Sequence, residues 1–154
     1  MSFDLDTSYN GAATGGLTSP TYNPEVDVAP NVASRQAAIT ALGGTQTGVD
    51  THSVSKPFTV TIQRPASLKS PATVGVDGIL RNNGRNRFVV RTRKGVVPVS
   101  GQSPQVMLIE TTMSIPAGAD VDDVPNVEAA ISAHIGYLTQ EADQVFALAV
   151  SGVI

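Results

Sequence analysis

The sequence predicts an α+β fold in which an antiparallel β-sheet is followed by two C-terminal α-helices. Three observations carry that prediction. Apolar and polar residues alternate with a period of two in stretches between Pro57 and Ile115. Helical spacing replaces that period after Pro125, and Gly-, Pro- and Asn-rich punctuation separates the periodic stretches. Strands first and helices last favour a sheet covered on one face. Two short helices cover a broad sheet poorly, so an obligate dimer is expected, its helices crossing onto the partner.

At 154 residues the chain is one domain's worth. Residues 1–56 read as an N-terminal arm or hairpin region, and residues 57–154 as the sheet and two-helix core of a single domain. Turn signals crowd the first part: Asn10-Gly11, Gly15-Gly16, Ser19-Pro20, Asn23-Pro24, Ala29-Pro30 and Gly43-Gly44. Its periodicity is poor, so it reads as an arm draped over something, without a core of its own. Within it, residues 32–42 fit a strand or a short helix.

The first clear strand begins at Pro57, with Phe58, Val60 and Ile62 alternating with Thr59, Thr61 and Gln63 until Pro65 ends it. A Pro- and Gly-punctuated connection follows, with room for a short strand at residues 73–80. Asn82-Asn83-Gly84 marks a turn. Residues 87–93 form the second strand: Phe88, Val90 and Thr92 on one face, Arg87, Val89, Arg91 and Arg93 on the other. Residues 96–104 are a Gly/Pro/Ser loop. Residues 106–115 form the third strand, with Met107, Ile109, Met113 and Ile115 opposite Leu108, Glu110, Thr112 and Ser114. Asp120, Asp122 and Asp123 before Pro125 suit an N-cap with Pro in the first turn. Val127, Ile131, Ile135 and Leu138 then recur at helical spacing. A second helix over residues 141–150 is stopped by Gly152.

Charge is segregated along the chain. The net charge is −3, yet nine of the ten basic residues fall between positions 56 and 94, where Asp77 is the only acid, giving that segment +8. A solvated face normally mixes both signs. A dense single-sign field fits an anionic partner, and arginine suits phosphate because its planar fork donates two parallel hydrogen bonds. The cations alternate along strands instead of lining an amphipathic helix, which favours nucleic acid over a membrane surface.

Other chemistry is poorly served. With no Cys there is no disulfide, thiolate metal site or cysteine nucleophile. His52 and His134 lie far apart in sequence and read as packed or solvated, not as metal ligands. Asp120, Asp122, Asp123 and Glu128 lack the glycine and the alternation of a calcium loop and read as helix-dipole acids. No Gly-x-Ser-x-Gly setting or phosphate-binding glycine loop occurs, so neither an enzyme nor a cofactor is expected. No apolar run is long enough to span a bilayer. Met1-Ser2-Phe3-Asp4-Leu5-Asp6 carries acids where a leader would carry Lys or Arg.

With the apolar strand faces turned toward the helices, the opposite face presents Thr59, Thr61, Gln63, Arg87, Val89, Arg91, Arg93, Glu110 and Thr112. It has no aromatic platform for stacking bases, which leaves recognition of phosphates and of a structured RNA by hydrogen bonds. Here the residues resemble a family, the coat proteins of single-stranded RNA bacteriophages. Phe58-Thr59-Val60-Thr61-Ile62-Gln63-Arg64-Pro65 looks like its first central strand, and Arg85-Asn86-Arg87-Phe88-Val89-Val90-Arg91 like the next. Glu110-Thr111-Thr112-Met113-Ser114-Ile115-Pro116 is similar to the strand that ends in Ile-Pro before the helices.

The resemblance implies an N-terminal hairpin, an antiparallel sheet of about five strands and two C-terminal helices interlocked with a dimer mate. It implies a capsid protein of the virion, assembled in the bacterial host cytoplasm into an icosahedral shell around genomic RNA, without a membrane partner. It further implies an RNA hairpin bound at the start of the replicase gene, repressing translation, and contact with a phage maturation protein. Carried over by position, the RNA-contact residues are Thr59, Thr61 and Gln63; Arg87, Val89 and Arg91; and Leu108, Glu110 and Thr112. Arg93 joins them on face and charge. Gln63 stands where a basic residue is often found, Leu108 where an aromatic can stack, and the connection at residues 67–84 is longer than usual. The alternative is a cellular dimeric RNA-binding regulator using the same basic face. The polar loop at residues 95–105, with Pro98 and Pro104, favours the shell, where one sequence adopts more than one conformation.

Overall fold

In the computed structural model, which describes residues 6–154, every strand pairs antiparallel with its neighbour in sequence. The strands are β1 (Tyr9–Asn10), β2 (Thr18–Asp27), β3 (Ser34–Thr45), β4 (Phe58–Gln63), β5 (Arg85–Val96) and β6 (Gln105–Pro116). They form one six-stranded meander in chain order. Three helices follow: α1 (Ala119–Asp122), α2 (Val124–Gln140) and α3 (Ala142–Ser151). The acidic start weighed against a leader lies largely outside the described residues.

The N-terminal region corrects the sequence reading. It is no draped arm: β2 and β3 are long members of the sheet, and Ile39 is wholly buried. Residues 32–42 are strand, not helix, from Ser34 onward. Their period of two is hidden because Ala37, Ala38 and Ile39 are buried in succession, so both faces of β3 are covered at that point. A bulge in β2 near Ser19 is matched by Gly44, whose positive φ of 72° and contact with the Ser19 carbonyl leave no room for a Cβ. Residues 73–80 hold no strand. A turn replaces it, with Gly75 N–H donating to the Ile79 carbonyl at 3.1 Å and Arg81 paired with Asp77 at 2.7 Å.

From β4 onward the expected strands are present, β5 and β6 running 12 residues each. On the helix-facing side, Tyr9, Tyr22 and Phe58 form an aromatic row with ring centroids 5.4 and 5.7 Å apart. The Lys94 ammonium lies 4.5 Å from the Phe58 centroid. Burial raises the pKa of the Tyr9 hydroxyl, with the Tyr22 charge adding to it. His52 acts in the backbone frame: its Nδ1 accepts the Phe58 N–H at 3.1 Å, and its own N–H donates to the Ile39 carbonyl at 2.8 Å.

The helical end holds an extra turn, α1, that sequence spacing did not separate. Asp123 occupies the cap position of α2, with Pro in the first turn as expected. Its carboxylate accepts from Asn126 Nδ2 at 2.7 Å and caps no backbone N–H. Gly152 ends α3 at φ 69°. Neither α2 nor α3 buries a single residue. Instead α2 stands off the sheet, leaving a groove of about 690 Å³ between Ile62, Val90, Met113 and Ile115 below and Val127, Ile131, Ile135 and Leu138 above. A second hollow of about 310 Å³ shares the floor of Ile62 and Val90 and reaches Tyr9 and Arg35.

Candidate nucleic-acid interface

The polar face is assembled by register. Across β3, β4, β5 and β6 the directly opposed residues form three rows: Ala38–Thr59–Arg93–Leu108, Gln36–Thr61–Arg91–Glu110 and Ser34–Gln63–Val89–Thr112. Arg87 lies opposite Ser114 one step further along. Opposed residues share a face. Thr59, Thr61, Gln63, Arg87, Val89, Arg91, Arg93, Leu108, Glu110 and Thr112 are therefore all brought together, on the side away from the helices.

Their exposure separates them. Arg87, Arg93, Leu108, Glu110 and Thr112 are exposed, Arg91 and Gln63 half-buried, and Val89 buried. Thr59 and Thr61 are only 2% and 3% exposed. The Thr61 hydroxyl already donates to Gln36 Oε1 at 2.9 Å, and Gln36 Nε2 donates to Asp27 Oδ2 at 2.7 Å. That bond, with the Val28 N–H, holds the Asp27 carboxyl below the usual carboxylate range. The Thr59 hydroxyl oxygen is buried with no hydrogen-bond partner among the described residues. These two threonines thus lie beneath the surface that their neighbours present.

The cations divide as well. Arg91 Nε pairs with Glu110, and Arg87 donates to Thr112 Oγ1 at 3.3 Å. Among the described residues Arg93 has no carboxylate partner. Elsewhere Lys56 pairs with Asp50 at 2.6 Å, Arg81 with Asp77, and Lys94 lies over Phe58 on the opposite face. The +8 segment therefore places four arginines on the polar face, Arg85 at the start of β5 with Arg87, Arg91 and Arg93, and spreads the remaining cations over the sheet ends and the other side.

Sequence reasoning missed the neighbouring loops. A hollow of about 440 Å³ opens on this face between Asn31–Ala33, Gln63–Ala66 and the side chains of Arg87, Val89 and Arg91. Arg64 lines it past the end of the β4 alternation, its backbone N–H donating to the Ala33 carbonyl at 3.0 Å and its guanidinium to the Pro65 carbonyl at 3.2 Å. Gln36 and Ser34 could be placed on the face only once residues 32–42 were known to be strand.

A single sheet with a finished polar side, an unfinished apolar side and helices that bury nothing defines a structural subunit made to assemble. The comparisons agree. The structure matches the virus-like particle of bacteriophage ESE020 with a TM-score of 0.96 and 48% identity, over 99% of this chain and 100% of that one. It also matches the virus-like particle of Beihai levi-like virus 32 with a TM-score of 0.53 and 18% identity, over 86% and 88% of the two chains, a likeness of fold. No family model matches the sequence, and no curated protein does. The chain belongs to the coat proteins of single-stranded RNA bacteriophages. Its function is that of a capsid protein that self-assembles into a shell.

Proposed function

We propose that the shell encloses single-stranded RNA, held by the polar sheet face, and that its building unit is a dimer joined along β6. The observation that carries the RNA reading is the alignment of Arg87, Arg91 and Arg93 along one face of β5, away from the helices. Arg93 and Arg87 meet phosphates, Arg91 does so in competition with Glu110, and Gln63, Thr112 and the hollow beside them receive bases or sugars. Thr59 and Thr61 act from beneath, fixing the floor of the site. Leu108 and Val89 supply apolar contact. A hairpin at the start of the replicase gene, bound here, would couple packaging to translational repression, and a maturation protein would join the same particle. The role is structural and non-catalytic, in the virion and in the host cytoplasm where assembly takes place.

Support for the dimer comes from the edge and the groove. β6 presents a free edge 12 residues long, and Val106, Met107, Leu108 and Ile109 on it are all exposed. A long exposed apolar edge is an association site by default. A partner strand on β6 and partner side chains in the groove would bury both, with residues 1–56 and 57–154 acting as one unit.

The test is filter binding of the disassembled subunit to the replicase-start hairpin of its own genome and to a scrambled control, across salt. Affinity should fall steeply between roughly 0.05 and 0.5 M salt as phosphate contacts release counterions. Flat binding, or a persistent well-folded monomer at micromolar concentration, would refute the corresponding half of the reading.

A further inference from the structure

The β4–β5 connection, residues 64–84, is fastened where an ordinary surface loop would be solvated. The side chain of Asn86, 4% exposed, clasps Lys69 on both sides. Its Oδ1 accepts the Lys69 N–H at 2.8 Å, and its Nδ2 donates to the Lys69 carbonyl at 3.1 Å. Asn83 makes a second clasp, accepting the Ala72 N–H at 3.1 Å and donating to the Ala117 carbonyl at 2.9 Å. Between the clasps Pro71 rests against Gly118, and the Asp77–Arg81 pair braces the tip.

What these clasps hold up is apolar. Val74, Val76, Ile79 and Leu80 are all exposed, Val76 completely. An ordered loop that presents such a group to water has paid hydration free energy for a contact its own chain does not make. The same end of the molecule carries both signs of charge. Among the described residues Lys69 and Arg85 have no carboxylate partner, while Asp120, Asp122 and Asp123 lie on and just after α1, which follows the Gly118 that Pro71 rests against. Val121 and Val124 are exposed there too. A surface holding apolar groups and both charges is complementary to a second copy of itself, as an isologous contact requires.

We infer that the 74–80 tip docks on the α1 end of a second copy, forming a shell contact distinct from the β6 edge and from the loop between β5 and β6. The inference rests on the capsid function and adds where neighbouring units meet. The test uses the full chain expressed as particles. Three variants are compared with the parent: Val76→Asp, Val76→Ser, which removes apolar surface without adding charge, and Ile79→Asp. Each should keep the parent's circular dichroism and RNA affinity while the protein recovered as closed particles falls at least tenfold, or while particle diameter changes. Val76 has no buried contact to lose, so a folded subunit is expected from either substitution there. Variants giving particles of the parent's yield, size and urea resistance would overturn the inference. So would variants that lose RNA affinity but still assemble, which would assign the tip to RNA. Failure of the parent itself to form particles would instead strike at the capsid function.

Discussion

The two faces of the sheet differ in how much of their chemistry their own chain completes. On the polar face, Asp27, Gln36 and Thr61 are linked by hydrogen bonds, Arg91 has Glu110 and Arg87 has Thr112. That face is organised in the single chain and leaves Arg93 and a hollow for something else. On the apolar face, Ile62 and Val90 floor two hollows, and α2 arches above them without burying a residue. In the function proposed above, the first face receives RNA and the second is completed by a partner chain. Hydrophobic burial needs only apolar area and tolerates completion by a second chain, whereas a charge network must be built in register to be useful.

Six substitutions would break or sharpen that contrast. Ile131→Asp places a carboxylate in the apolar groove and should reduce recovered particles at least a hundredfold, about 2.7 kcal/mol, read by size-exclusion chromatography and negative-stain microscopy. Particles of normal yield would mean that the groove is not filled by a partner. Ile39→Ala should cost about 2–5 kcal/mol through the cavity left in β3, whereas Leu108→Ala on the polar face should stay within about 0.5 kcal/mol. Urea titration of the two variants checks the difference, and equal losses would erase the distinction between core and ligand face.

Smaller effects belong to the polar face. Arg93→Ala should weaken all RNAs about equally and shallow the salt slope by about one unit. Glu110→Gln should do the reverse, strengthening binding by releasing Arg91 from its partner. If both leave filter binding unchanged, the RNA surface lies elsewhere. Gln36→Leu should cost about 1 kcal/mol, because it strands the Thr61 hydroxyl and the Asp27 carboxylate. The Asp27 carboxyl has a lowered pKa in the folded chain, so its contribution is complete above the unfolded value of about 3.9 and is lost as pH falls through the folded one. The variant should therefore show a flatter decline in stability below about pH 4 than the parent. An unchanged acid limb would remove Asp27 from the network.

The sheet from Phe58 to Pro116 is legible because apolar residues alternate there with polar or charged ones, an alternation of residue type that survives in the order whatever the depth of each position. β3 is not, because Ala37, Ala38 and Ile39 are buried in succession and erase the period. The candidate site followed the same rule. Register put all ten expected residues on one face, since parity along β4, β5 and β6 suffices for that. Depth was invisible. Nothing in the order of residues says that Thr59 and Thr61 are covered, or that Arg64 lines the hollow beyond the end of its strand. Those facts depend on β3 and on the 31–33 turn, which lie far away in sequence.

The strand order has a consequence for how the subunit comes into being. Each strand pairs only with the one made just before it, so each step closes a short loop, and the largest gap to bridge is residues 64–84. Chains dominated by such local pairings fold fast, because little entropy is lost before contacts form. Emerging from the ribosome, the sheet would zip from its N-terminal edge, and β6 would be the last strand added. The adhesive edge is thus exposed only when the helices are next to emerge, which shortens the time in which it could join the wrong neighbour.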